Sequence, residues 1–215
     1  KWLCRIWISD CRSLMGKSVG RGSSSGRRNG RCPQSDFPGR ERMMQYTSRY
    51  QSPMGKILLA ADETGLTGLW FEGQKYYALH LDREHTEREV PLFAAARQWL
   101  DIYFAGKEPG FSVPVHLIGT EFQKTVWKVL CSIPYGRTMT YGEIAAYIAA
   151  ESGQARLSAR AVGGAVGHNP VSIIVPCHRV VGADGSLTGY AGGIDRKEKL
   201  LRMEKQGMLL PHSSS

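Results

Sequence analysis

The amino-acid sequence predicts an α+β fold: a small N-terminal domain of antiparallel strands covered by one helix, then a C-terminal domain resembling a winged helix-turn-helix. Three observations predict it. From Tyr46 onward, short runs of β-branched and aromatic residues alternate with glycine-containing turns. The segment PLFAAARQWLDIYFAG, residues 91–106, then carries apolar residues at helical spacing. After Thr120 helical patterns recur, separated by polar turns and followed by a short apolar run and a glycine-rich segment.

Residues 1–42 precede these domains. Within them GKSVGRGSSSGRRNGRCPQSDFPGRER, residues 16–42, is rich in Gly, Ser and Arg and nearly free of aliphatic side chains. Such a stretch cannot bury enough surface to offset its ordering entropy, so a disordered basic tail is predicted. Basic composition alone gives that tail no role. The N-terminal domain, residues 43–113, opens with QYTSRYQSP, GKILLAAD and GLTGLWFEG, three strands joined by Pro-Met-Gly and Glu-Thr-Gly turns into an antiparallel meander. The helix over 91–106 sets Leu92, Ala95, Ala96, Trp99, Tyr103 and Phe104 on the face that covers the sheet. VPVHLIG, residues 113–119, reads as an extended link.

The C-terminal domain spans residues 114–210. Thr120 and Gln123 form a capping-box signature, and Phe122, Val126, Val129, Leu130 and Ile133 follow at helical spacing. IPYGR breaks that helix, YGEIAAYIAA forms a second, and SARAVGGAVG a third after the turn ESGQARL. VSIIV reads as a short buried strand and RVVGADGSLTGY as a glycine-turned hairpin. IDRKEKLLRMEK is a final helix ended at Gly207.

Composition narrows the function. The net charge is +9, but residues 1–42 hold 10 Lys and Arg against 3 Asp and Glu, while residues 121–215 hold 11 against 7. The C-terminal domain is therefore the mildly basic folded region, suited to nucleic acid. No apolar stretch approaches the roughly 18 residues of a membrane span, so no membrane role is expected. The opening KWLCRIWISD lacks the continuous apolar core of a secretory signal, and export is not expected. The 5 cysteines are scattered and form no C-x-x-C pair, which fits a reducing, cytoplasmic compartment where a reactive thiol survives. No long heptad suggests assembly, so a monomer is expected.

The chemistry gathers at VPCHRVVG, residues 175–182. Cys177 could be a small core hydrophobe, a metal ligand or a nucleophile. Pro176 ends any strand before it, and His178 and Arg179 follow directly, cationic neighbours of the kind that lower a thiol pKa. Adjacent residues on an extended chain point to opposite faces, so His178 reaches Cys177 directly only where the chain turns, and a bridging water is the easier route. An orienting carboxylate is then needed behind the imidazole. Glu204 is a candidate, since it lies on the same side of the last helix as Leu200 and Leu201, though a solvated helix end carries equal weight from spacing alone.

Together with the preceding ARAVGGAVGHNPVSIIV and the following GSLTGYAGGIDRKEKLLRME, PCHRVVG resembles the signature of the O6-alkylguanine-DNA alkyltransferases, also called methylated-DNA–protein-cysteine methyltransferases. The match is dense from Thr120 to Glu204 and continuous from Tyr46. The resemblance implies repair of double-stranded DNA carrying alkylated guanine or, less readily, thymine. The Cys177 thiolate would take the alkyl group irreversibly, once per molecule, with no cofactor and no metal. It implies that His178 accepts the thiol proton through a water, that Glu204 orients His178, and that Asn169 braces the turn before the active-site segment. Tyr141 would help rotate the nucleotide and protonate the guanine. Arg160 would fill the gap left by the flipped base, and Ala161, Gly163 and Gly164 would let the third helix approach the minor groove closely. Val180, Tyr190, Ala191 and Gly192 would line the base pocket, with Gly192 and Gly193 leaving room for the alkyl group. Two features depart from the family: the segment IAAESGQARLSA is longer than in members with the shortest turn, and Ala191 stands where some relatives have serine.

Three other functions remain open on the sequence. A DNA-binding lesion sensor would use the same helical module without transfer, but the intact PCHR argues for reaction. A cysteine hydrolase would draw its histidine from a distant segment, and His80, His85 and His116 have no motif around them. Zinc on Cys177 and His178 is disfavoured because adjacent ligands cannot easily share one tetrahedral ion.

Overall fold

The computed structural model describes residues 44–209. The tail expected to be disordered, residues 1–42, lies outside the described residues.

The first three strands form as the sequence predicts. β1 (Gln45–Ser52), β2 (Gly55–Ala61) and β3 (Leu66–Phe71) pair antiparallel in order. The tight β1–β2 turn requires Gly55 at φ +115°. A fourth strand, β4 (His85–Glu87), was not legible in the sequence; it joins the outer edge of β1 in parallel, giving the order β3-β2-β1-β4. The meander is thus antiparallel with one short parallel edge. A three-residue, fully exposed polar strand has no alternation to detect.

Helix α1 (Pro91–Phe104) starts on Pro91, whose fixed φ suits the first turn. Its buried residues are Phe93, Ala96, Leu100 and Tyr103. The apolar face is therefore rotated from the predicted one: Leu92, Trp99 and Phe104 flank it, while Phe93 and Leu100 form its centre. Because apolar residues surround most of this helix, periodicity alone left the rotation loosely set.

Helices α2 (Glu121–Cys131) and α3 (Tyr141–Glu151) both begin in capping boxes, Thr120 with Gln123 and Thr140 with Glu143. Each box satisfies two backbone donors that would otherwise be orphaned. Helix α4 (Ala159–Gly167) follows a turn over residues 152–158, completing the helix-turn-helix. The Trp127 Nε1 donates to the Ala165 carbonyl at 2.8 Å, fastening α2 to α4.

Three predictions after α4 are corrected. VSIIV is not a strand: residues 171–175 curl into a turn in which the Val175 amide donates to the Val171 carbonyl, and Ile173 sits at φ +69°. That conformation is strained for a β-branched side chain and is imposed by Asn169, as described below. Nor is there a hairpin over RVVGADGSLTGY. Val180–Val181 forms β6, which pairs in parallel with β5 (Met139–Thr140), and residues 182–186 close a local turn on the Gly182 amide. Its first residues pair with a segment 41 residues upstream in the chain. Finally, α5 (Ile194–Leu209) runs through Gly207 instead of ending there. A Cβ at Gly207 would fall 2.1 Å from the Gly106 carbonyl oxygen, so this glycine serves close approach rather than helix termination.

One continuous buried cluster reaches from Leu59 and Phe93 to Val126, Val166, Cys177 and Leu200. The free edge of β3 is where the chain's later segments dock. Leu66 exchanges backbone bonds with Pro114 and His116, and Leu69 with Pro170 and Ser172. The extended link over 113–119 is thereby part of the sheet edge, and the segment leading to Cys177 hangs from β3.

Candidate active site

Cys177 opens a single 3-10 turn, Cys177–Arg179, that leads into β6. The turn resolves the geometric question raised by adjacent side chains. It sends His178 back toward α5 while Cys177 packs against the Asn169 corner.

Asn169 ends the α4 segment and organises everything up to the thiol. Its Oδ1 accepts from the Val171 amide at 3.1 Å. Its Nδ2 donates to the Val175 carbonyl at 2.8 Å and to Cys177 Sγ at 3.0 Å, with the Val171 carbonyl at 3.3 Å. Asn169 is buried, and Cys177 is only 4% exposed. Burial pushes the Cys177 thiol up to about 11, against the Asn169 donor and the charge of Lys197, so the resting group is a neutral thiol.

His178 is fully buried. Its Nε2 lies 2.7 Å from Glu204 Oε1 and 3.2 Å from the Tyr103 hydroxyl, while its buried Nδ1 has no hydrogen-bond partner in the protein. Burial lowers the His178 pKa despite the opposing pull of Glu204, leaving the ring neutral. Glu204 is also completely buried. It accepts from Tyr103 at 2.7 Å, from the Gly136 amide at 2.9 Å and from Arg179 at 3.0–3.2 Å. Burial works against its charge, but the hydrogen bond from His178 and the charge and bonds of Arg179 hold its carboxyl down at about 2. A carboxylate acceptor at Nε2 means that this nitrogen carries the proton, so Nδ1 presents its lone pair.

Lys197 lies buried one helical turn from the start of α5. It donates to the Val180 and Thr188 carbonyls, and burial lowers it to about 8, against the pull of Cys177. The Tyr141 hydroxyl, at the first residue of α3, donates to the same Thr188 carbonyl at 3.0 Å. Burial raises the Tyr141 pKa, and the charge of Cys177 adds to the rise. Gly189, at φ +71°, leaves room for that hydroxyl, since a Cβ there would stand 2.4 Å from it.

The other predicted pocket residues surround this group. Val180 is buried, and Tyr190 packs edge-on to His178 with ring centroids 6.4 Å apart. The Ala191 carbonyl accepts from the Lys75 amide at 3.0 Å. Gly192 does not leave open space: a Cβ on it would meet Tyr190 Cε1 at 2.6 Å, so its bareness accommodates the Tyr190 ring. A Cβ on Gly193 would meet nothing within 4 Å. Arg160, Ala161 and Gly164 lie together on the exposed face of α4, where a Cβ at Gly164 would also meet nothing within 4 Å, and Gly163 turns toward the Tyr141 ring. Asn169 thus touches Cys177 and Glu204 touches His178, the next residue in the chain, with Tyr190 packed on the His178 ring and the α4 residues on a separate outward surface.

Sequence reasoning missed Tyr103 and Lys197. Tyr103 was counted as a packing residue of α1, and its hydroxyl carries no local signal. Lys197 sits in a run of charges, IDRKEK, which reads as a solvated face. Among the described residues no cluster of three or more His, Cys, Asp or Glu could hold a metal. No helix among them is long and apolar enough to cross a membrane.

Residues 45–117 match the family described as the ribonuclease-like domain of 6-O-methylguanine DNA methyltransferase, and residues 121–206 match its DNA binding domain. A methylated-DNA–protein-cysteine methyltransferase of Mycobacterium bovis is 49% identical over 154 residues, covering 72% of this chain and 88% of that protein. One from Methanosarcina acetivorans is 50% identical over 160 residues, 74% of this chain and 97% of that protein. Among solved structures, the Mycobacterium tuberculosis O6-methylguanine methyltransferase superposes with a TM-score of 0.67 at 44% identity, over 79% of this chain and 97% of the other. The Mycobacterium tuberculosis OGT in complex with DNA gives 0.64 at 46% identity, over 76% and 94%. With both halves matched, and the buried cysteine, histidine and glutamate all within the second, the chain belongs to the methylated-DNA–protein-cysteine methyltransferase family.

Proposed function

We propose that this protein repairs double-stranded DNA by moving an alkyl group from guanine O6, and less readily from thymine O4, onto Cys177. The observation that carries this reading is the buried, unpartnered Nδ1 of His178, next in the chain to the buried Cys177 and fixed as an acceptor by Glu204 at Nε2. The thiol, held at about 11, needs such a base at neutral pH. His178 Nδ1 takes the Cys177 proton through a bridging water, the sulfur attacks the alkyl carbon, the carbon–O6 bond breaks, and the Tyr141 hydroxyl returns a proton to the base. The thioether is stable, so each molecule acts once. Glu204 compensates the transient imidazolium, and Asn169 aims the sulfur through its Nδ2 contact.

A stacked base cannot reach a buried thiol, so the damaged nucleotide flips out of the duplex. The bare outward face of α4, with Ala161 and Gly164, supports close approach to the minor groove, and Arg160 fills the vacated stack. Val180, Tyr190, Ala191 and Gly192 receive the base. Residues 43–113 and 114–210 are the two domains of this machine, with the reaction in the second. It works as a monomer in a reducing cytoplasm; among the described residues the large exposed apolar side chains are Met44, Tyr77, Phe111, Tyr147 and Ile194, each from a different segment of the chain.

The test is intact-protein mass spectrometry after incubation with a short duplex carrying one O6-methylguanine, followed by peptide mapping. One methyl per molecule on the Cys177 peptide is expected, and none on Cys177→Ser. Duplex binding with no gain in mass would overturn the transfer reading and leave a lesion-binding protein.

A further inference from the structure

The Tyr103 hydroxyl is buried completely, on a helix of the N-terminal half, 75 residues before His178 in the chain. Its ring is held by packing alone. It stacks on Trp99 at 5.2 Å and meets Phe104 and Tyr135 edge-on at 5.7 and 6.1 Å. A phenylalanine would make the same contacts. The hydroxyl therefore needs its own explanation, because burying one without a partner is unfavourable.

Its partner is the one carboxylate oxygen that also holds His178. Tyr103 spends its proton on Glu204 Oε1 at 2.7 Å, so toward His178 Nε2, 3.2 Å away, it can only accept. Both oxygens facing Nε2 are then acceptors, and the ring proton is confined there. From this geometry we infer that Tyr103 is a positioning residue for alkyl transfer, through which the N-terminal half fixes the His178 tautomer and restrains the basicity of Glu204. The inference rests on the transfer reading above.

The charged and titratable groups facing His178 are Glu204 and Lys197 from α5, Arg179 and Cys177 from its own turn, Tyr103 from α1, Tyr190 from the loop before α5, and Tyr135 behind Glu204. Among these only Tyr103 hydrogen-bonds Glu204 through a neutral hydroxyl, a donor that can be removed without a change of charge or of ring packing while leaving the reacting groups in place. Without it, Glu204 disperses its charge less and stabilises the imidazolium more. His178 then protonates at higher pH, and the acidic limb of the rate profile moves up.

The experiment measures single-turnover methyl transfer from an O6-methylguanine duplex between pH 5.5 and 9. It compares the parent protein, Tyr103→Phe, and protein with 3-fluorotyrosine at position 103. Tyr103→Phe should move the acidic limb up by about half a unit to one unit, slowing transfer roughly three- to ten-fold at the foot of the profile. The fluorinated ring is a stronger donor of nearly the same shape and should move the limb down. Opposed shifts with unchanged duplex binding are the expected result; a packing role would lower the melting temperature and leave the limb fixed. A limb that stays in place in both proteins, or moves the same way in both, overturns the inference. If the parent itself transfers no methyl group, the transfer reading beneath it fails instead.

Discussion

His178, Tyr103, Arg179 and the Gly136 amide all converge on the two oxygens of Glu204. Removing its charge leaves the buried Arg179 guanidinium without a counter-ion, so Glu204→Gln should destabilise the fold by about 3–5 kcal/mol at pH 7, read from urea unfolding. The pH dependence has a definite sign. In the unfolded chain this carboxyl titrates near its ordinary value of 4.5, and in the folded protein it stays ionised down to about 2. Its contribution is fully present above pH 4.5 and is lost as pH falls through that window toward 2. Glu204→Gln should therefore flatten the stability curve below pH 4.5. A substituted protein with the parent's acid slope would show that other carboxylates govern acid unfolding. At this scale the motif and the family resemblance marked Cys177, His178 and Glu204, where helical spacing alone left Glu204 balanced against a solvated helix end, and the fold brings Glu204 onto His178. Tyr103 and Lys197 act through single polar atoms on elements whose pattern is explained by packing or solvation, so nothing local marked them.

Helices α4 and α5 each carry a glycine where alanine would form a better helix, and the two should respond oppositely. Gly164 faces outward with nothing within 4 Å of a Cβ, so Gly164→Ala should stabilise the protein by up to about 1 kcal/mol. If α4 enters the minor groove, the same methyl should weaken duplex binding, and melting and binding titrations together check both signs. Gly207→Ala should destabilise by about 1–3 kcal/mol, because its Cβ would overlap the Gly106 carbonyl at 2.1 Å. Helix starts at Thr120 and the small-residue run of α4 were legible because capping and periodicity are local. The turn over residues 171–175 was not, since VSIIV has the composition of a strand and is bent by one side chain, Asn169, six residues before the last carbonyl it holds. The β6 pairing was hidden for the same reason: its partner, β5, is remote in sequence.

The two halves share one buried cluster, so they should unfold together. Trp70 on β3 and Trp127 on α2 are both buried and report one half each. Variants retaining only one of these indoles should give fluorescence midpoints that coincide with each other and with far-UV circular dichroism. Separated midpoints would mean two independent folding units. The edge of β3 adds a consequence for how the protein is made. Leu66 waits for Pro114 and His116, and Leu69 for Pro170 and Ser172, which lie about 50 and 100 residues further along the chain. A ribosome therefore releases the first sheet with an open, wholly buried-type strand at its margin, and that margin is sealed only after the helix-turn-helix has been synthesised. The nascent chain is most exposed to edge-to-edge association during this interval. The late segment that seals the edge is also the one that carries the thiol, so the nucleophile reaches its working position only when the sheet is closed.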